Sequence, residues 1–252
     1  MYHEQQMHAD SWFLTLTYDD ESIPENGSLD ARDTKRFIDR LRAGRPAGSV
    51  SYFVCGEYGE VTQRPHYHVA VFGPDFRDRE VHRQDDAGHR YWRSDEIERC
   101  WELGHSEFST LGFGSAAYIG AYVTKKVHRT TNPDHYTRVD PRSGELVELQ
   151  PEFARMSLKP AVGRRWIEEY WREVYPRDYV VVDGKRSRPP RYYDKFMDLA
   201  DEKGGCAERR ELMFKVREKR ADEFEFMREG RLEAMEKIHE SRRRLFQDRG
   251  AI

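Results

Sequence analysis

Little in this chain points to covalent cross-links, a membrane or a uniformly charged surface. Its 252 residues hold three cysteines, Cys55, Cys100 and Cys206. They lie far apart and match neither a zinc nor a redox spacing, which leaves free thiols in a reducing compartment as the expectation. No apolar run approaches the length needed to cross a bilayer. No early stretch combines a basic start, an apolar middle and a small-residue cleavage site, so the expected location is the cytosol, with no membrane partner. A dominant charge is missing too: 43 Lys and Arg oppose 46 Asp and Glu, for a net charge of −3. The overall basic footprint of a nucleic-acid-binding domain is absent, and any such surface must be local. With 37% hydrophobic and 35% charged residues, the composition describes a soluble globular protein with a small apolar core. The length suits one large domain or one domain with appendages.

What is present begins with aromatic and β-favouring residues. Ser11 to Tyr18 reads as a first strand. Asp30 can cap a helix whose Phe37, Ile38 and Leu41 form an apolar stripe, stopped by Gly44 and Pro46. Val50 to Glu57 is a second strand, and Arg64 to Gly73 a third, so the two are expected to form a hairpin. The polar segment Pro74 to Tyr91 reads as a surface excursion. Ser94 can cap a short helix bearing Ile97, Cys100 and Trp101, and Ser106 to Leu111 is a fourth strand. Ser115 can then cap a helix running to about His128. The order β-α-β-β-α-β followed by a helix predicts an α+β fold. It is the split βαβ, or ferredoxin/RRM-like, antiparallel sheet with helices, the catalytic helix following the fourth strand.

Further along, a small hairpin is expected around Tyr136–Val139 and Glu145–Leu149. Arg164 to Tyr175 repeats Trp166, Ile167, Tyr170, Trp171 and Val174 at helical spacing, and Tyr179 to Val182 reads as a short strand. The run from Ala207 to Arg249, rich in both signs of charge, predicts a long solvent-exposed C-terminal helix. The expected division is a core over 1–130, an extension packed on it over 131–200, and a charged helical tail over 201–252.

Chemistry concentrates in the third strand. His66 and His68 alternate with Tyr67 and Val69, so both imidazoles share one sheet face. Two imidazoles on a rigid strand can share a metal ion, although the pair also fits two hydrogen-bonded, half-buried strand histidines. Glu57 ends the neighbouring strand and would share that face if it lies opposite His66. Two histidines and a carboxylate suit a divalent metal with open positions. Glu60, inside the turn, competes with Glu57 as the third ligand. On the later helix, Tyr118 and Tyr122 lie four apart on one face; Lys125 falls on the same face and Lys126 at its edge. A phenol is a poor nucleophile at neutral pH, and a nearby cation favours its phenolate. Beside a metal that polarises a phosphate, these are the parts for moving a phosphodiester onto tyrosine.

His66-Tyr67-His68 resembles the His-hydrophobe-His motif of HUH endonucleases, and Tyr118-x-x-x-Tyr122-x-x-Lys125-Lys126 their two-tyrosine motif. Phe13-Leu14-Thr15-Leu16-Thr17-Tyr18 is similar to their first motif. More closely, Cys55-Gly56-Glu57-Tyr58-Gly59-Glu60 ahead of Arg64-Pro65-His66-Tyr67-His68 resembles the replication initiators of gokushovirus-type microvirus phages. So do Phe153-Ala154-Arg155-Met156-Ser157 and Pro189-Pro190-Arg191-Tyr192-Tyr193-Asp194-Lys195. The resemblance covers about residues 11–196.

It implies a nicking domain using Mg²⁺ or Mn²⁺ held by His66, His68 and Glu57, with Tyr122 and Tyr118 as nucleophiles assisted by Lys125 and Lys126. It also implies a 5′-phosphotyrosyl intermediate on single-stranded phage origin DNA and a free 3′-OH that primes synthesis in rolling-circle replication. The setting would be the cytoplasm of the bacterial host, with host helicase and polymerase as partners. Arg64, Arg129, Arg164, Arg165, Lys185, Arg186, Arg188 and Arg191 are the expected DNA contacts. Two rival readings fit the histidines without the tyrosines. One is a cupin-like two-histidine-one-carboxylate oxygenase, although no glutamate follows shortly after His68; the other is a non-enzymatic single-strand-binding module with aromatic stacking.

Overall fold

The computed structural model describes residues 1–24, 26–59, 61–125, 136–139, 144–175 and 177–201, with scattered positions beyond 210. The expected C-terminal helix therefore falls largely outside the described residues. Contacts divide the chain into two units, Met1–Val162 and Gly163–Ile252.

In the first unit a short helix α1 (Tyr2–Gln5) precedes β1 (Ser11–Tyr18), α2 (Ala31–Arg42), β2 (Ser51–Tyr58) and β3 (Pro65–Phe72). Next come β4 (Glu80–Gln84), β5 (Arg90–Arg93), α3 (Asp95–Cys100), β6 (Gly104–Thr110) and α4 (Phe113–Lys125). Last are β7 (Thr137–Val139), β8 (Leu146–Glu148) and β9 (Phe153–Met156). Seven strands make one antiparallel sheet in the order β4-β5-β6-β1-β3-β2-β9, and β7 and β8 form a separate hairpin. The inner four, β6-β1-β3-β2, keep the neighbour relations of a split βαβ, as the element order predicted.

Three details differ from the sequence reading. The polar excursion after β3 is the hairpin β4–β5, fully exposed on β4, and it lengthens the sheet beyond β6. The helix with the two tyrosines therefore follows the sixth strand of the chain, which is the fourth of the core motif. Edge strand β9 also lacked a strand signal: its four residues pair with β2 from Phe53 to Gly56. Ser115 is the third residue of α4 rather than its cap, its hydroxyl accepting from the Gly112 N–H at 2.9 Å.

The capping residues of α2 and α3 are those expected. Asp30 accepts from the Arg32 N–H at 2.8 Å, and Ser94 from the Ile97 N–H at 3.3 Å. Both helices cover one sheet face, where Leu14, Leu16, Val54, Val69, Val71, Phe37, Leu41 and Trp101 form the larger core. Burial of such apolar area is the main stabilising term.

Tyrosine hydroxyls inside this core are paired. The Tyr18 hydroxyl donates to Asp33 and meets the Tyr67 hydroxyl, each at 2.7 Å, and Tyr67 accepts from the Asp30 N–H at 2.9 Å. Burial, followed by the Tyr67 contact, pushes the Tyr18 phenol far above its ordinary range, so this network stays protonated. Gly56 is needed on this face: a Cβ there would stand 2.9 Å from Phe153 Cε1, 3.0 Å from Leu29 Cδ2 and 3.1 Å from Tyr67 Cδ1. On the other face α4 covers Phe53, Cys55, Ala70 and Phe72 with Ala116 and Ile119.

The second unit is small. It contains α5 (Arg164–Val174), the hairpin β10 (Val180–Val182) and β11 (Lys185–Ser187), and α6 (Arg191–Asp201). Ile167, Val174, Tyr175, Val180, Tyr193 and Met197 form its core. Trp166 stacks on Tyr193, ring centroids 5.8 Å apart at 18°.

Candidate functional site

Register brings the site together. Glu57 on β2 lies directly opposite His66 on β3, and His68 is flanked by Cys55 on one side and Thr15 of β1 on the other. Period-2 alternation then aims Glu57, His66 and His68 at the sheet face that α4 approaches. Their ligand atoms all lie within 4.8 Å of one another. Glu57 and His68 are buried and His66 is half-buried.

The polar geometry is that of a site built around a cation. Glu57 Oε1 lies 2.7 Å from His66 Nε2 and 2.9 Å from His68 Nε2, while its second oxygen is buried with no hydrogen-bond partner among the described residues. His66 Nδ1 lies 3.2 Å from the Arg64 carbonyl, which can only accept. That nitrogen therefore carries the proton, and in the neutral ring Nε2 offers a lone pair toward the carboxylate. Two acceptors facing each other need a proton or a metal ion between them. His68 is oriented from behind by the Thr15 hydroxyl, 3.3 Å from Nδ1. These donors, two imidazole nitrogens and a carboxylate with a spare oxygen, fit a divalent ion.

Charges follow the same arrangement. Burial opposes ionisation of Glu57, but the His66 and His68 hydrogen bonds outweigh it and hold its carboxyl below the usual range. Burial also works against a charged His66, yet the Glu57 bond wins and its pKa rises. For deeper His68 burial wins, and its pKa falls. Neighbouring Cys55 is no rival ligand, because burial and then the Glu57 charge push its thiol far up and keep it protonated.

Aromatic rings complete the site. Phe13 stacks on His68 at 5.2 Å and 18°, and Tyr118 of α4 stands edge-on to His68 at 5.4 Å. The sequence reading missed Phe13 and Thr15 as supports of His68. Alternation along β1 does place them on one face, but only the β1–β3 register shows that this is the histidine face.

Of the other expected site residues, Tyr122 and Lys125 belong to α4, one turn and almost two turns beyond Tyr118, and their side chains lie outside the described residues. Lys126, Arg129 and Glu60 lie outside them altogether. Arg64 is tied to the Tyr18 carbonyl at 3.0 Å and to Asp20 at 2.7 Å. Arg164 pairs with Glu168 at 2.9 Å and lies over the Phe196 ring. Arg165 is half-buried, whereas Lys185, Arg186, Arg188 and Arg191 are exposed in the second unit. A cleft of about 600 Å³ beside the start of α2 touches none of the triad. No helix among the described residues is long and apolar enough to cross a membrane.

Comparison with known proteins agrees with this arrangement. Residues 11–127, spanning β1 to just past α4, match the family model for replication-associated proteins of the ORF2 type. Over 200 residues the chain is 35% identical to Replication-associated protein VP4 of Bdellovibrio phage phiMH2K, covering 76% of this chain and 59% of that one. It is 28% identical over 203 residues to Replication-associated protein ORF2 of Spiroplasma virus 4, covering 75% and 58%. Against Replication-associated protein ORF4 of Chlamydia phage 1 the identity is 25% over 198 residues, covering 75% and 46%. The chain thus spans about half to three-fifths of the length of these relatives. No solved structure matches it.

Proposed function

Because this chain is kin to the replication-associated proteins of small phages, we propose that it is a metal-dependent, site-specific single-strand DNA endonuclease and strand transferase of the HUH type. It would nick the phage origin to start rolling-circle replication and rejoin the strand to end it. The observation that carries this reading is the convergence of Glu57, His66 and His68 on one point, with Tyr118 against His68. Replication-associated relatives alone would leave the chemistry open; this geometry narrows it.

Glu57, His66 and His68 would hold Mg²⁺ or Mn²⁺, and the bound ion supplies Lewis acidity toward a non-bridging phosphate oxygen. A tyrosine of α4, Tyr122 or Tyr118, loses its proton and its oxygen attacks phosphorus. The new bond is a 5′-phosphotyrosyl ester, the broken bond is P–O3′, and the departing oxygen takes up a proton to become a free 3′-OH. Lys125 and Lys126 would favour the phenolate and offset phosphate charge. The ester conserves the phosphodiester's energy, so the other tyrosine can take part in the closing transfer. The 3′-OH would pass to host helicase and polymerase in the host cytoplasm.

The test uses end-labelled single-stranded origin DNA with Mn²⁺ on denaturing gels, comparing wild type with Tyr118→Phe, Tyr122→Phe and His68→Ala. A protein-linked product that withstands denaturation is expected, lost with EDTA, with His68→Ala and with at least one Phe variant. Binding without any adduct under every divalent metal would reject the nuclease and leave a single-strand-binding module. Bound iron with turnover of small molecules instead would point to the oxygenase.

A further inference from the structure

Elsewhere in the chain, arginines on the surface are matched by acids. Arg32, Arg36, Arg40, Arg45, Arg64 and Arg83 each pair with a carboxylate. The second unit breaks this pattern. From Tyr179 to Arg191 there are four cations, Lys185, Arg186, Arg188 and Arg191, against one acid, Asp183. All four cations are exposed, and among the described residues none of them joins an ion pair. In a chain of net charge −3 such a run is not a consequence of composition.

The hairpin beneath these charges is rigid. Asp183 and Gly184 form its two-residue turn, with φ of 49° and 71°. Two positive φ values are the type I′ geometry that suits the right-handed twist of a hairpin. Val180 is buried in the unit's core and pairs with Ser187, which anchors β10 and leaves β11 wholly on the surface. Arg186 lies over the Tyr179 ring, 4.7 Å from its centroid, which fixes the guanidinium while leaving its N–H edges outward. Like charges held together on a stiff support repel one another unless an anion lies across them.

Resting on the proposed DNA chemistry, we propose that the β10–β11 hairpin and the residues up to Arg191 form a second DNA-binding surface that grips backbone phosphates. It reads no base sequence, since Lys and Arg on an open hairpin contact phosphate oxygens without sequence information. It needs neither metal nor tyrosine.

The test is binding, not cleavage. The full chain is titrated onto fluorescent oligonucleotides of random sequence in EDTA, across a NaCl series, by anisotropy. The variant is Lys185→Gln/Arg186→Gln/Arg188→Gln/Arg191→Gln, with its two halves, 185/186 and 188/191, made separately. Each lost phosphate contact lowers the log–log salt slope for a single strand by ~0.7. The quadruple variant should therefore lose up to ~3 from the slope and bind roughly tenfold more weakly or worse near 0.1 M salt. Each half should show part of both effects, which also covers the case in which the quadruple variant fails to fold. His68→Ala, damaged at the triad, should keep the wild-type slope. A parallel duplex arm decides whether the gripped backbone is single- or double-stranded. A slope and affinity unchanged in all three hairpin variants would overturn the proposal while leaving the nicking reading intact. A hairpin effect without any tyrosine adduct in the cleavage assay would do the reverse.

Discussion

Glu57 serves two histidines with one oxygen and leaves the other buried without a hydrogen bond among the described residues. Such an arrangement costs stability in the absence of a ligand and offsets that cost when a cation arrives. Metal affinity should therefore depend on more than the three donors. Thr15 sets the ring of His68 through Nδ1, and removing partners of this kind typically weakens a metal site roughly 10- to 100-fold. Thr15→Val is isosteric and should weaken Mn²⁺ binding by about tenfold, followed by calorimetry or by the paramagnetic signal of free Mn²⁺. Glu57→Gln should abolish binding at the same concentrations. Wild-type affinity in Thr15→Val would show that the 3.3 Å contact does not orient the ring.

Among the elements, two glycines of the first unit have opposite meanings. Gly56 sits in the middle of β2 where Phe153, Leu29 and Tyr67 already fill the space of a Cβ. Gly56→Ala should destabilise by about 1–3 kcal/mol through overpacking, read as a lower urea midpoint. Gly120 lies inside α4 between the two tyrosines, has no positive φ, and its Cβ would meet only Met1 Cε at 3.7 Å. Gly120→Ala should stabilise by about 1 kcal/mol from helix propensity alone. A destabilised Gly120→Ala would mean that α4 needs a contact or bend at this point that the packing does not reveal.

For the molecule as a whole, acid stability offers a check on the packing of α1. Burial pushes His3 down to about 4 from an ordinary 6.5. Its folded pKa is lowered, so the unfolded chain takes up the proton first. The contribution is intact above pH 6.5, is lost as pH falls from 6.5 to about 4, and changes no further below that. The loss at pH 4 is at most ~3 kcal/mol, one pKa unit being worth about 1.36 kcal/mol. Urea midpoints of wild type and His3→Gln, followed from neutral pH down to about 4, should diverge in that window, the variant losing less. Parallel curves would mean that His3 is solvated in the folded protein.

Strands β1, β2 and β3, the caps Asp30 and Ser94, and the shared face of His66 and His68 were determined by the sequence alone. Each depends on neighbours along the chain: alternation, a short polar side chain before an apolar stripe, a two-residue period. Glu57 was legible as a ligand only on the condition that it faced His66, and register is a property of two strands together. Tertiary structure decided that register, and with it the place of Thr15 and Phe13 behind His68. It also made edge strands of the polar hairpin β4–β5 and of the four-residue β9. The partner of Met156 is Phe53, far back along the chain, and no local periodicity records a partner at that distance. The cations of β11 were visible as charges in the sequence; that no acid among the described residues answers them is a fact of three dimensions.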